Sequence, residues 1–291
     1  MRHTSAARPR IADYIALTKP RIVGLVLVTT LSGMWLAAHG WPSASVVLWT
    51  LLGTGLAAGS AQALNAYLDR DFDARMHRTQ NRPLPAGRLV PSRALSFGIA
   101  LGITAFALLA VAVNLLSAGL ALATILFYVF VYTLWLKRTT SWCTVIGGVS
   151  GAMPPLIGWA AVTGGLGPPA WVLFAILFLW QPPHFWSLAL VYLDDYRRAE
   201  FPMLPVVQGG RATRRQMLLY IAALVPVSIL LYPMGVAGPL YLAIAVGLGL
   251  GYIVQSVRFA LQDRLGPDTL FFYSIIYLTL LFVTVVINCR C

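Results

Sequence analysis

Long apolar segments recur along the whole chain and alternate with short polar connections. A helix needs about 20 predominantly apolar residues to cross the hydrocarbon core of a bilayer, so each segment predicts a transmembrane helix. The pattern therefore predicts an all-α, polytopic membrane bundle of about nine helices. The predicted spans cover residues 20–39, 46–66, 94–112, 116–135, 142–162, 168–190, 216–234, 238–257 and 269–289.

The composition agrees with a membrane environment. Apolar residues make up 59% of the 291 residues and charged residues only 10%, whereas a soluble domain carries roughly 25% charged residues. Because the apolar segments follow one another with short gaps, we expect residues 1–291 to form a single membrane-embedded domain.

The basic residues alternate along the chain. The N-terminal arm and the even-numbered connections hold every Lys and Arg except Arg290, which is the positive-inside pattern and places the N-terminus in the cytoplasm and the C-terminus outside. The formal net charge of +12 therefore indicates contact with anionic headgroups and not with nucleic acid. We expect the inner (cytoplasmic) membrane of a bacterium. A mitochondrial inner membrane is the alternative, because Arg2, Arg8 and Arg10 precede the first acid, Asp13.

Two predicted cytoplasmic connections, 67–93 and 191–215, are much longer than the others, and long connections in a compact protein tend to be functional. Together they hold six of the nine acidic residues, so random scatter does not explain the clustering, and both acidic groups begin where a span ends. The six are Asp69, Asp71, Asp73, Asp194, Asp195 and Glu200.

The first acidic group has a helical spacing. Asn65, Asp69 and Asp73 are four residues apart, which places them on one face of a helix, with Asp71 pointing away. Carboxylate and amide oxygens suit Mg²⁺, which also bridges to phosphate oxygens. The sequence therefore predicts a metal site here, and the competing interpretation is a solvated helix end paired with neighbouring arginines.

The second acidic group lies in the segment YLDDYRRAEFPMLPV. Its spacing is less regular, since Ala199 occupies the position four residues after Asp195. We interpret Asp195 as its main metal ligand, with Asp194 or Glu200 assisting. The alternative is a loop held by capping and by pairing with its own arginines.

Metal-bound acids surrounded by bases predict a diphosphate site, in which the metal neutralises the leaving group. Basic side chains can donate N–H groups to the same oxygens, Arg as a planar fork and Lys as a point charge. The candidate bases are Arg78, Arg82, Lys137 and Arg138. For each of them, orientation of the spans is the competing explanation.

A diphosphate site that opens into apolar helices implies a substrate with a long apolar tail. Ionisation of an allylic diphosphate leaves a delocalised cation, which needs a dry cavity lined by aromatic rings. His184 lies within a predicted span, eleven residues before Asp195, and intramembrane polar residues usually face an interior cavity. His184 either binds the acceptor or hydrogen-bonds a neighbouring helix, and Gln181 has the same two interpretations.

The segment NAYLDRDFDARMHRTQNRPLPAG resembles the first Asp-rich motif of the UbiA superfamily of membrane prenyltransferases, with Asn65, Asp69 and Asp73 matching its Asn-x3-Asp-x3-Asp pattern. Further blocks are similar to the branch of that superfamily that farnesylates haem. They are YIALTKPRIV, YTLWLKRTT, IGGVSGAMPPLIGW, WQPPHFWSLAL and DDYRRAEFPMLPVVQG.

The resemblance implies a UbiA-like bundle around a central cavity capped by the two long loops. It implies transfer of the farnesyl group of farnesyl diphosphate to a vinyl group of haem B, with addition of water, giving haem O. By the same resemblance Mg²⁺ is the cofactor, and the candidate bases above assist the diphosphate. The resemblance implies Asn65, Asp69, Asp73 and Asp195 as ligands of the metal and diphosphate, and Asp69, Asp73 and Asp195 as the catalytic carboxylates. Asp194 is a further metal candidate from its place in the second acidic group.

Haem carries two propionates, which cytoplasmic bases could receive. Lys19 and Arg21, at the start of the first span, are candidates together with His184 for the haem site, although span orientation explains the two bases equally well. From the pathway alone, a haem A synthase or an oxidase assembly factor would be a partner.

Two other functions compete with this interpretation. One is a related prenyltransferase that acts on an aromatic or quinone precursor, which His184 and the haem-type blocks disfavour. The other is a membrane transporter. Transporter sites lie near the bilayer midplane, whereas the acids here lie at cytoplasmic helix ends.

Overall fold

The computed structural model describes residues 10–261 and 266–289, and most of these residues are helical. Among the Lys and Arg residues, Arg2, Arg8, Arg264 and Arg290 lie outside the described residues. The helices are α1 (Ile11–Thr18), α2 (Pro20–Ala37), α3 (Ala44–Leu68), α4 (Arg70–Asp73), α5 (Pro91–Ala112), α6 (Leu115–Leu126), a π-helical segment (Phe127–Leu136), α7 (Lys137–Thr139), α8 (Cys143–Ala152), α9 (Pro154–Thr163), α10 (Pro168–Val191), α11 (Leu193–Arg198), α12 (Leu204–Val207), α13 (Gly209–Ile229), α14 (Pro239–Leu261) and α15 (Pro267–Ile287).

Eight helical stretches within the described residues are long and apolar enough to cross a membrane. They overlap eight of the nine predicted spans, so the predicted all-α membrane fold and the approximate helix count are confirmed. The fourth stretch, Leu115–Thr139, joins α6, the π-helical segment and α7, and the fifth, Cys143–Thr163, joins α8 and α9.

The seventh predicted span, 216–234, differs from the structure at both ends. Helix α13 begins at Gly209 and ends at Ile229, and it is not among the eight apolar stretches. Its first turns carry Arg211, Arg214 and Arg215, which the sequence assigns to the preceding connection. The chain leaves the helix before Pro233, whose missing N–H would interrupt the helical hydrogen bonds.

The bundle packs around α3 and α10. Helix α3 packs against α5 and α2, α2 packs against α9, and α10 packs against α8, α13 and α15. The outer surface of the bundle remains apolar: Val111 is 90% exposed and Ile103 is 66% exposed. Several buried hydroxyl groups donate to their own helix, as Thr30 does to Val26 O at 2.8 Å. An apolar exterior around helices, whose backbone groups are hydrogen-bonded internally, is the arrangement that a lipid environment requires.

Helices α2 and α9 approach each other closely because glycine lies on both sides of the contact. A Cβ atom added to Gly33 would lie 2.3 Å from Pro155 O, and one added to Gly158 would lie 2.1 Å from Thr30 O. Small residues allow membrane helices to pack backbone to backbone. Other residues of the same two helices, Val26 of α2 and Pro154 of α9 among them, line the cavity described below.

We expect Gly33→Ala to destabilise the bundle by about 1–3 kcal/mol, since the added methyl group meets backbone atoms that cannot move aside. Gly24→Ala is the matched control on the same helix, because a Cβ there meets nothing within 4 Å. Thermal unfolding of the detergent-solubilised protein measures both variants. Equal midpoints for the two variants would contradict the importance of this contact.

The two long loops form a cap over one end of the bundle, which we call the loop cap and define as residues 70–90 and 192–208. Phe72 stacks on Phe201 with ring centroids 4.7 Å apart. Met76 and Met203 are buried in the same apolar cluster as Phe201. The loop cap is therefore a packed element, and its side chains have defined positions above the helices.

Candidate active site

A cavity of about 330 Å³ lies beneath the loop cap. Its deep part is apolar, and its walls come from α2, α3, α6, α8 and α9, with Ile22, Ala61, Ile125 and Ile157 among the lining residues. Tyr128 and Tyr132 of the π-helical segment line it as well, with centroids 5.1 Å apart. The volume lies at the lower end of the range for small-molecule pockets, about 300–1,000 Å³.

The end of α3 brings the predicted ligands Asn65, Asp69 and Asp73 together at the mouth of this cavity. The helical hydrogen bonds continue past Leu68, because Asp69 N donates to Asn65 O at 2.9 Å and Asp73 N donates to Asp69 O at 2.8 Å. The predicted common face is therefore confirmed. Asp71 points away, with a side chain that is 76% exposed.

Asp69 is the most deeply enclosed of these carboxylates. Its Oδ2 accepts from Lys137 Nζ at 2.5 Å and from Asn65 Nδ2 at 2.8 Å. Its Oδ1 is buried and has no hydrogen-bond partner. A buried charged oxygen without a partner is costly, so this atom points to a cation or donor that completes the site.

Asp73 and the first loop form the outer part of the mouth. Asp73 Oδ2 accepts from Arg82 Nη1 at 2.8 Å. The guanidinium group of Arg78 lies over the ring of Tyr192, 4.9 Å from its centroid, and its Nη2 donates to the Tyr196 hydroxyl at 3.4 Å. Both arginines line the cavity, as the diphosphate interpretation requires.

Lys19 reaches the same mouth from the break between α1 and α2. Its backbone is left-handed, with φ 50° and ψ 67°, which is uncommon for a residue other than glycine. Its Nζ donates to Asn65 Oδ1 at 3.0 Å. Burial, with the positive charges of Arg82 and Lys137, lowers the pKa of Lys19 to about 7.

The mouth of the cavity is short of negative charge. Four bases and two carboxylates line the cavity, which leaves two positive charges in excess when Lys19 is protonated. The bases are Lys19, Arg78, Arg82 and Lys137, and the carboxylates are Asp69 and Asp73. A polyanion would balance this charge, and a diphosphate is one with suitable acceptors.

Asp195 joins the two loops of the cap and does not line the cavity. Its Oδ1 and Oδ2 accept from the backbone N–H groups of His77 and Arg78, each at 3.2 Å, and Arg198 also donates to it. Burial acts to raise the pKa of this carboxyl. The two backbone N–H groups and the Arg198 guanidinium outweigh burial and hold the pKa of Asp195 below its usual range.

Three other predicted site residues are not brought to the cavity. The side chain of Asp194 is 85% exposed and pairs with Arg197 at 3.3 Å. Arg138 donates to Leu68 O at 3.0 Å, and Arg21 is exposed at the start of α2. The geometry therefore gives no support to Asp194 as a metal ligand, to Arg138 as a diphosphate ligand or to Arg21 as part of an acceptor site in this cavity.

His184 also lies outside the cavity lining. Its Nδ1 is 2.7 Å from the hydroxyl of Ser274 on α15. Its ring stacks between Trp180 and Phe271, with centroid distances of 4.2 and 4.7 Å. Of the two sequence interpretations, the hydrogen bond to a neighbouring helix is the one seen. Gln181, in contrast, lines the cavity and donates to Gly148 O at 2.8 Å.

Across residues 10–261 and 266–289, no three Asp, Glu, His or Cys side chains gather into a metal site of their own. A metal at the mouth would therefore take its oxygens from Asp69, Asp73 and Asn65 and complete its shell with water or phosphate oxygens. The unpartnered Oδ1 of Asp69 and this oxygen-only donor set fit a hard divalent cation.

Sequence reasoning missed two contributions to the site. Thr133 Oγ1 accepts from Asn65 Nδ2 at 3.2 Å, and it reaches Asn65 from the π-helical segment, which periodicity does not reveal. Gln62 lines the cavity, and its Oε1 is buried without a hydrogen-bond partner. A usable signal for Gln62 existed, since an amide within an apolar span is costly and often functional.

The family model described as the UbiA prenyltransferase family matches residues 26–283 of the chain. A relative from Gloeobacter violaceus named protoheme IX farnesyltransferase is 53% identical over 278 residues, which are 95% of this chain and 91% of the relative. A relative of the same name from Symbiobacterium thermophilum is 49% identical over 281 residues, covering 96% of this chain and 94% of the relative.

Solved structures share the fold at low sequence identity. A digeranylgeranylglyceryl phosphate synthase is similar with a TM-score of 0.80 and 16% identity, covering 96% of this chain and 98% of that chain. A UbiA homologue from Archaeoglobus fulgidus bound to DMAPP and Mg²⁺ is similar with a TM-score of 0.69 and 16% identity, covering 94% and 99%.

Proposed function

The chain belongs to the UbiA prenyltransferase family and is an enzyme similar over nearly its full length to protoheme IX farnesyltransferases, and we propose that it transfers the farnesyl group of farnesyl diphosphate to a vinyl group of haem B. Water adds in the same reaction, and the product is haem O. The observation that carries the proposal is the pairing of a buried, base-lined acidic mouth with an apolar cavity.

Asn65, Asp69 and Asp73 hold the metal in this proposal. The divalent cation, Mg²⁺, supplies charge neutralisation for the departing diphosphate. The support from this chain is the unpartnered Asp69 Oδ1, and a relative of the same fold is described with DMAPP and Mg²⁺ bound. Lys137, 2.5 Å from Asp69 Oδ2, fixes the carboxylate in position.

The bases of the mouth bind the diphosphate. Arg78 and Arg82 come from the first loop. Lys19 lies between α1 and α2, before α3 in the chain, and Lys137 begins α7, after α3 in the chain. Their N–H groups converge on one opening and can take the oxygens of a single diphosphate. Asp195 contributes indirectly, because it holds the backbone of His77 and Arg78.

The apolar cavity receives the farnesyl chain and keeps water from the allylic carbon. The stacked Tyr128 and Tyr132 rings present π-electron density where a cation develops. In this proposal the cavity, with a volume of about 330 Å³, receives one prenyl chain, and haem presents its vinyl edge at the mouth. In the positive-inside orientation this mouth faces the cytoplasm.

Incubation of membranes containing the protein with haem B, farnesyl diphosphate and Mg²⁺ tests the proposal. We expect a new haem whose mass is greater by one farnesyl group plus water, and we expect it to disappear when Mg²⁺ is chelated. Mass spectrometry of extracted haems measures the product, and membranes without the protein are the control.

Two results would contradict different parts of the proposal. Unchanged haem B together with diphosphate release on offering an aromatic acid would overturn the acceptor and leave the family chemistry. Formation of the product at full rate in the presence of chelator would overturn the metal role of the acidic mouth.

A further inference from the structure

Haem O formation requires one water molecule inside a site that otherwise excludes water. The bond between farnesyl C1 and the diphosphate oxygen breaks, and the terminal vinyl carbon forms a new bond to C1. The adjacent vinyl carbon then carries the positive charge, and a water oxygen bonds to it. The water's proton goes to the released diphosphate, so that atoms and charge balance. Some group must hold that water beside the cation.

Three buried polar atoms without hydrogen-bond partners lie along the cavity face of α3 and the residue that ends it. They are Thr54 Oγ1, Gln62 Oε1 and Asp69 Oδ1, and all three residues line the cavity. Their separations of eight and seven residues are each about two helical turns, which explains why they share one face. Asp69 belongs to the proposed metal site. The atoms without hydrogen-bond partners that remain on the cavity wall are therefore Thr54 Oγ1 and Gln62 Oε1.

Depth along α3 separates these two atoms. Gln62 lies three residues before Asn65, or about 4.5 Å along the axis, and Thr54 lies eleven residues before it, or about 16 Å. The allylic carbon is bonded to the diphosphate, and the cationic vinyl carbon lies only two bonds beyond it. The reacting carbons are therefore at the depth of Gln62, one turn below the charged mouth, and far from Thr54.

An amide oxygen is suited to this task. It accepts one O–H of the water and so turns the water's lone pair toward the electron-poor carbon, and it is too weak a base to take the proton itself. The second partner of the water is an oxygen of the departing diphosphate, which receives the proton. Buried waters in proteins make two to four hydrogen bonds, so these two partners are sufficient.

We propose that Gln62 is the water-positioning residue of this enzyme: its buried, unpartnered Oε1, one turn below the acidic mouth, holds the water that becomes the hydroxyl group of haem O. The inference rests on the proposed function, and it concerns which product forms from the cation. When no water is held, the cation loses a proton and yields a farnesylated haem that is lighter by one water.

Gln62→Met tests this, because methionine has a similar shape and lacks the amide. We expect the ratio of hydroxylated to dehydrated farnesylhaem to fall about tenfold or more, the effect of losing one hydrogen bond to the reacting water. Thr54→Val is the matched control, since it removes Thr54 Oγ1, the other atom without a hydrogen-bond partner on the cavity face of α3. We expect its product ratio to equal that of wild type. Gln62→Glu restores an oxygen and is expected to restore the hydroxylated product.

The outcomes are distinguishable. A wild-type product ratio in Gln62→Met would overturn the role of Gln62 and leave the proposed function intact. Absence of all farnesylated haem in both Gln62→Met and Gln62→Glu would assign the residue to folding or substrate binding and would overturn it too. If wild type itself makes no farnesylated haem, the proposed function fails first.

Discussion

Replacing Asp69 with Ala is expected to reduce farnesyl transfer about 10³-fold or more. The substitution removes the carboxylate whose unpartnered Oδ1 is proposed to meet the metal, so the departing diphosphate loses much of its charge neutralisation. It also removes the carboxylate partner of Lys137, whose Nζ lies 2.5 Å from Asp69 Oδ2 in the wild-type protein. Diphosphate release and haem products, both measured in membranes, should fall together.

Asp71→Ala is the control for this prediction, because Asp71 lies in the same motif with an exposed side chain. We expect it to keep nearly wild-type activity. Asp69→Asn preserves the shape of the side chain and separates the loss of charge from a loss of packing. Activity within a few-fold of wild type in both Asp69 variants at ordinary Mg²⁺ would refute the ligand role.

Asp195→Ala is expected to lower kcat/KM for farnesyl diphosphate about 100-fold, because small displacements of a positioning group carry penalties of that size. The carboxylate holds the backbone of His77 and Arg78, and its loss releases the first loop. The Mg²⁺ concentration for half-maximal activity should stay unchanged. Limited trypsin cleavage within the loop cap should become faster.

Asp194→Ala removes the neighbouring acid, whose partner Arg197 is likewise exposed, and we expect it to be nearly silent. One other result for Asp195→Ala would support the interpretation of Asp195 as a metal ligand. If Asp195→Ala raised the Mg²⁺ requirement strongly while the loop cap stayed resistant to trypsin, the carboxylate would be a ligand and its contacts to the first loop would be secondary.

The elements that sequence predicts well here are governed by local periodicity. The four-residue spacing of Asn65, Asp69 and Asp73 requires only that the helical repeat continues, and backbone hydrogen bonds show that it does. The eight apolar spans follow from length and hydropathy alone. The predicted span 216–234 differs from helix α13 because the helix begins in the arginine-rich stretch before the apolar segment. No local pattern marks that extension.

Tertiary contacts decided the residues that sequence alone could not place. Asp195 looks like a metal ligand in its own segment, but its carboxylate accepts hydrogen bonds from the backbone of a loop more than 110 residues earlier in the chain. His184 has a partner on α15, ninety residues away. Lys19 reaches the site only because its backbone turns left-handed between two helices. None of these is encoded in residue type or spacing.

The π-helical segment Phe127–Leu136 has a consequence for how the chain can vary in length. A π-helix accommodates more residues per turn than an α-helix, and such segments often occur at functional sites. Deleting one residue there would return the segment toward ordinary α-helical pitch and would change the direction in which the residues after it point. Lys137 would swing away from Asp69, while hydropathy would hardly change. Insertions and deletions are therefore expected to be as restricted in this segment as substitutions are at the acidic mouth.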